Sequence, residues 1–209
     1  MPHDLSGADR TVKVWDPLVR IFHWSLVVFF FVAYITEDEW ETLHVYAGYT
    51  VAALVLFRLV WGVIGTRYAR FTNFVKGPRV AWTYLRQTLT GRAPRYIGHN
   101  PAAAAMIVAL LFCLLITALS GMIHLAGEGG GPLAGTFLAN LPEHEVEEFH
   151  ELFANGMLLL IVLHVTGVVI SSLGHHENLV RAMINGRKRQ ADDDQDSLHA
   201  TANGSEVTP

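Results

Sequence analysis

Eleven histidines against a single cysteine hold most of the chemistry this sequence offers. His3 and His199 lie in polar ends, His99 in the run GHNP, and His175 with His176 just past the last apolar block, so these read as surface residues. His144 stands among Glu143, Glu145, Glu147 and Glu148, which reads as a solvated acidic face, with divalent-cation binding a distant second. His23, His44, His124, His150 and His164 are different. They fall in or at the ends of long apolar blocks, where an ionisable side chain is costly and needs a partner or a task. The lone Cys113, inside an apolar block, excludes an intramolecular disulfide framework and any cysteine-rich zinc or iron–sulfur site.

The elements that must position these rings follow from composition. Of 209 residues, 51% are apolar and 16% charged, with a mean hydropathy of +0.31, too apolar for an ordinary soluble domain. The apolar residues form four blocks, about 18–36, 43–65, 101–124 and 149–173, each close to the ~20 helical residues that span a bilayer. Buried helices of a soluble protein would show a polar face, and these mostly do not. A polar segment of about seventeen residues precedes the first block and no small-residue cleavage site follows Tyr34, so it reads as retained rather than as a cleaved signal. The fold expected is an all-α integral membrane four-helix bundle over 18–186, with a cytoplasmic segment 1–17 and a disordered cytoplasmic tail 187–209.

Charge fixes the expected orientation. Segments 37–42 and 125–148 contain no Lys or Arg, whereas 66–100 carries Arg67, Arg70, Lys76, Arg79, Arg86, Arg92 and Arg95 and no acid. Basic loops stay in the cytoplasm, so both termini are expected there, in a bacterial inner membrane. Within that loop, residues 78–89 suit a short helix in the headgroup layer, with a solvated connector nearly as good a reading. A net charge of −4 leaves nucleic-acid binding nothing to rest on.

With that orientation the histidines sort by depth. His150 and His164 are fourteen positions apart, so they share one helix face, roughly 21 Å apart along the axis. His44 lies at the outer level with His150, and His23 at the inner level with His164. A pair of imidazoles facing across a helical bundle suits haem iron with two axial nitrogens. A bare zinc or copper site needs more ligands, and no Asp, Glu or Cys stands at either inner-pair position. Gly48, Ala154 and Gly167 lie on the histidine faces, which leaves room for a macrocycle or simply lets membrane helices approach. Arg58, fourteen after His44, lies at the inner level, where a guanidinium meets a haem propionate, another carboxylate or a headgroup. His124 competes for the outer pair, and Met122 and Met157 offer a His/Met alternative that fits the depths less well.

The runs WDPLVRIFHWS at 15–25, LHVYAGY at 43–49, RLVWGVIGTRYARF at 58–71, GHNP at 98–101 and FHELFANGMLLLIVLHVTG at 149–167 resemble the bacterial cytochrome b561 family, which includes the b-type cytochrome subunits of nickel–iron hydrogenases. The likeness covers roughly residues 12–186. It implies a four-helix membrane bundle with two haem b groups (iron protoporphyrin IX) and histidine ligands on the first, second and fourth helices. His23, His44, His150 and His164 match those positions. It also implies electron transfer between an outer partner, such as a c-type cytochrome or a hydrogenase, and quinone in the membrane lipid. The acidic outer loop 125–148 is longer than a turn requires and suits either a docking surface or plain solvation. Two other classes compete with an electron-carrier subunit. One is a stand-alone quinone-linked oxidoreductase of superoxide-oxidase type; the other is a haem-free, histidine-lined metal transporter.

Overall fold

In the computed structural model, residues 11–37 and 39–189 are described. Four helices are long and apolar enough to cross a membrane: α1 (Pro17–Ile35), α2 (Glu41–Ile64), α5 (Pro101–Gly127) and α6 (Glu143–Gly174). The inner connection between α2 and α5 carries α3 (Phe71–Phe74) and α4 (Pro78–Leu89), the latter with the bounds read from the sequence. A 3-10 turn, Phe137–Asn140, lies in the outer connection, and α7 (Leu179–Asn185) follows α6.

Local chemistry starts the helices. Asp16 caps α1, its carboxylate accepting the Val19 amide at 3.0 Å, and Pro17 occupies the first turn. Asn100 does the same for α5, accepting the Ala103 amide at 2.8 Å ahead of Pro101. The sequence runs WDP and HNP are therefore both a cap residue followed by proline, whose missing N–H and fixed φ suit a helix start. Asp16 also joins α1 to the end of α2, since its other oxygen accepts from the Thr66 hydroxyl at 2.6 Å and the Trp61 indole at 3.3 Å.

One expectation needs correction. The tail was expected to be without structure from residue 187, but β2 (Arg187–Arg189) pairs antiparallel with β1 (Thr11–Lys13). Its cause lies next to it: Gly186, at φ +79°, ends α7, and its carbonyl accepts the amides of Val14 and Trp15. A side chain there would run into the Trp15 carbonyl. Inside this ribbon Lys188 is buried, pairing with Glu177 at 3.1 Å. The cytoplasmic segment expected before residue 11 and the tail expected after residue 189 lie outside the described residues.

The helices pack as two hairpins, α1 with α2 and α5 with α6, joined by contact between α2 and α5. By contrast, α6 hardly approaches α1 or α2 along its backbone. Phe30, Val51, Val55, Cys113, Leu114 and Met157 make the central core. Large apolar side chains such as Leu56, Val63, Phe112, Leu159 and Val162 point outward. Hydrocarbon, not water, is the solvent in which that surface is stable.

Replacing Asp16 with Ala removes one cap and two interhelix bonds. The thermal midpoint of the detergent-solubilised chain, followed by helical circular dichroism, should fall, with the cap alone worth about 1 kcal/mol. Thr66→Val, losing one bond, should give a smaller drop.

Candidate functional site

At the outer end α2 and α6 bring His44 and His150 together, ring centroids 6.1 Å apart and nearly perpendicular. Each ring is held from behind by a different helix. His44 Nδ1 donates to the Ala33 carbonyl at 2.8 Å, an oxygen in the last turn of α1 that also accepts from the Thr36 amide and hydroxyl, each at 3.3 Å. His150 Nδ1 donates to the Thr117 carbonyl at 3.0 Å and lies 3.1 Å from the Ser120 hydroxyl, both on α5. A proton at Nδ1 leaves the Nε2 lone pair free on each ring, the arrangement a metal-ligating imidazole needs.

Beside these rings opens a cavity, partly open at its edge, whose lining includes Gly48, Ala118, Gly121 and Ala154. A Cβ at Gly48 would meet nothing within 4 Å, so the space beside it is free. Gly121 is different. A Cβ there would lie 2.9 Å from His150 Cε1, so α5 can approach the ring only as glycine. The outer loop folds over α2, where Gly131, at φ +72°, sits against the Tyr49 hydroxyl.

His124 is an electrostatic neighbour of His150 but does not line the cavity, and its Nε2 lies 3.8 Å from Glu128. Met122 does line it, while Met157 is part of the central core. His144 is exposed and lies 3.3 Å from Glu148. Among the described residues no three His, Cys, Asp or Glu side chains cluster as a bare metal site would require.

At the inner end His23 lies within electrostatic reach of His164, without the ring contact seen at the outer pair. Its Nδ1 is buried and has no hydrogen-bond partner. Gly167, one turn on from His164, faces open space. Arg58 is only 4% exposed. One of its amino groups donates to the Ala69 carbonyl at 3.0 Å, and its guanidinium lies 4.7 Å above the Phe71 ring, leaving Nη1 buried and unpartnered. The Phe71 ring in turn occupies the space a side chain at Gly62 would fill.

His99 overturns its sequence reading as a surface residue. Its ring lies between Trp15 and Phe74, centroids 4.4 and 4.5 Å away, with Nδ1 buried and unpartnered. Burial, helped by the positive charges of Arg58 and Lys188 and by His164, lowers its pKa to about 3. The missed signal was its position, directly before the cap Asn100 that ties the inner loop to the bundle. Thr117, Ser120 and Gly121 were missed too. They stand together in the run TALSG, the one cluster of hydroxyls and glycine within an otherwise apolar α5.

The outer pair suits a planar macrocycle, since both rings border a cavity and α6 stands off from α1 and α2. A family model described as prokaryotic cytochrome b561 matches residues 14–186. The chain is 24% identical to a probable Ni/Fe-hydrogenase B-type cytochrome subunit of Bradyrhizobium diazoefficiens, over 87% of each chain. It is 24% identical to a protein of the same name from Rhizobium leguminosarum bv. viciae, over 86% of this chain and 89% of the relative. A third, from Azotobacter vinelandii, is 25% identical over 88% and 91%. No solved structure matches the chain.

Because His99 stays neutral when folded but takes a proton near the ordinary histidine value of about 6.5 when unfolded, acid favours unfolding. Stability should fall as pH drops from about 6.5 toward 3, by at most about 1.4 kcal/mol per pH unit from this group. Thermal midpoints at pH 7 and pH 5 should therefore differ less in His99→Asn than in the parent; an equal difference would rule out His99 as the source.

Proposed function

Because the chain belongs to the prokaryotic cytochrome b561 family, a membrane cytochrome b of electron transfer, we propose that it carries electrons between a periplasmic redox partner and the quinone pool through two bis-histidine haem b sites. His44 and His150 hold the outer one, His23 and His164 the inner one, with Arg58 beside the inner. The single observation that carries this reading is the His44–His150 pair, its Nδ1 atoms both engaged and a cavity alongside.

When bound, haem b supplies a reversible one-electron iron couple, and two imidazole ligands leave no open iron position for oxygen. The chain's own residues do the rest. Ala33 and Thr117 fix the tautomer and tilt of the outer rings. Phe30, Val51, Val55, Leu114 and Met157, which lie in sequence between the outer and inner residues of their helices, keep water from the space between the tiers. The partner is read from the relatives, which are named as probable nickel–iron hydrogenase subunits. A separate hydrogenase subunit or a c-type cytochrome at the outer face fits this, meeting the acidic run 143–148. The cytoplasmic placement of both termini, in the inner membrane, rests on the basic inner loop.

A pyridine haemochrome assay on the purified chain should count two b haems per polypeptide, and one in His44→Ala or in His164→Ala. A single haem in the parent, or none, would refute the reading. Gly121→Ala pushes a methyl against His150; it should alter the spectrum and potential of the outer haem and leave the inner one as it was.

A further inference from the structure

Of the buried polar side-chain atoms without a partner among the described residues, four belong to residues near the inner end: Arg20 Nε, His23 Nδ1, Arg58 Nη1 and His99 Nδ1. Two of them belong together. The Arg58 guanidinium lies 4.7 Å over the Phe71 ring, Phe71 is 5.7 Å from Phe74, and Phe74 is 4.5 Å from the His99 ring, and both groups are N–H donors: a guanidinium always, and a neutral imidazole at one of its nitrogens. The nearby acids are already engaged. Asp16 accepts from Val19, Trp61 and Thr66, and Glu177 lies between Arg95 at 3.2 Å and Lys188 at 3.1 Å. No carboxylate stands within ion-pair distance of Arg58 among the described residues.

A buried guanidinium with a free amino group is costly unless an anion meets it. Every fixed contact of Arg58 turns it toward one place. Ala69 takes one amino group, the Phe71 ring lies against the guanidinium plane, and Gly62 gives that ring its room. Trp15 and Phe74 likewise pin the His99 ring from both sides. The result is two held donors with buried, unpartnered nitrogens at the end of the bundle that also carries His23 and His164.

We propose that Arg58 Nη1 and His99 Nδ1 together seat one carboxylate, a propionate of the inner haem. This rests on the two-haem reading above, and the test separates the two. The seat fixes which edge of the macrocycle enters first and brings a fixed positive charge beside it. A positive charge there favours the reduced iron, so its removal lowers the inner potential.

The full chain is purified with haem isotopically labelled at its propionate carboxyls, and redox-difference infrared spectra are taken for the parent, Arg58→Gln and His99→Asn. Arg58→Lys keeps the charge without the planar fork and serves if Arg58→Gln fails to fold. The expected result is a shifted labelled carboxylate band in both the Arg58 and His99 variants, with a lowered potential of the inner haem in Arg58→Gln and no change at the outer haem. Two haems with an unmoved labelled band would overturn the seat while leaving the haem reading intact. So would phospholipid phosphate that co-purifies with the parent, is lost in Arg58→Gln, and is accompanied by an unmoved band. Fewer than two haems in the parent would remove the reading on which the seat depends.

Discussion

An imidazole placed in a hydrocarbon layer has two nitrogens to satisfy, and no water to do it. The outer pair meets half of that demand within the chain. His44 on α2 gives its Nδ1 proton to the end of α1, and His150 on α6 gives its own to α5. Each ring thus ties one helix hairpin together from inside, and each is left with one lone pair directed elsewhere. The same bond that closes the hairpin sets the tautomer, so packing and site chemistry are a single constraint here.

The separation of the two tiers follows from the core. Met157 lies midway between His150 and His164 on α6, and Val51 and Val55 lie between His44 and Arg58 on α2. Packed against Phe30 and Leu114, they make an apolar layer in which the Cys113 thiol donates to the Phe153 carbonyl at 3.3 Å. Charged chemistry is concentrated at the two ends. At the inner end it is held by Asp16, which joins α1 to α2, and by the ribbon of β1 and β2, which brings Lys188 and Glu177 under the bundle.

The four helices were legible because bilayer thickness dictates their length and apolar composition, and those signals are local. Caps followed by proline marked the starts of α1 and α5 just as clearly. That His44 and His150 come together was legible for the same reason, since helical rise converts sequence position into height. What the sequence did not reveal depended on contacts between distant segments. Nothing local in Thr117, Ser120 or Gly121 says that they face His150. His99 looked like a loop residue because its burial comes from Trp15 and Phe74, which lie far from it in the chain. The β1–β2 pairing joins the two ends of the bundle and has no periodic signal in three residues. Arg58 was found by its depth, but its grip on Ala69 and Phe71 comes from the loop folding back on α2.

The proposed electron path needs two separate imidazole pairs at two depths, and low-temperature electron paramagnetic resonance of the oxidised, purified chain tests this most directly. Two low-spin ferric signals should appear, one lost in His44→Ala and the other in His23→Ala. A single signal in the parent, or loss of the same signal in both variants, would contradict it.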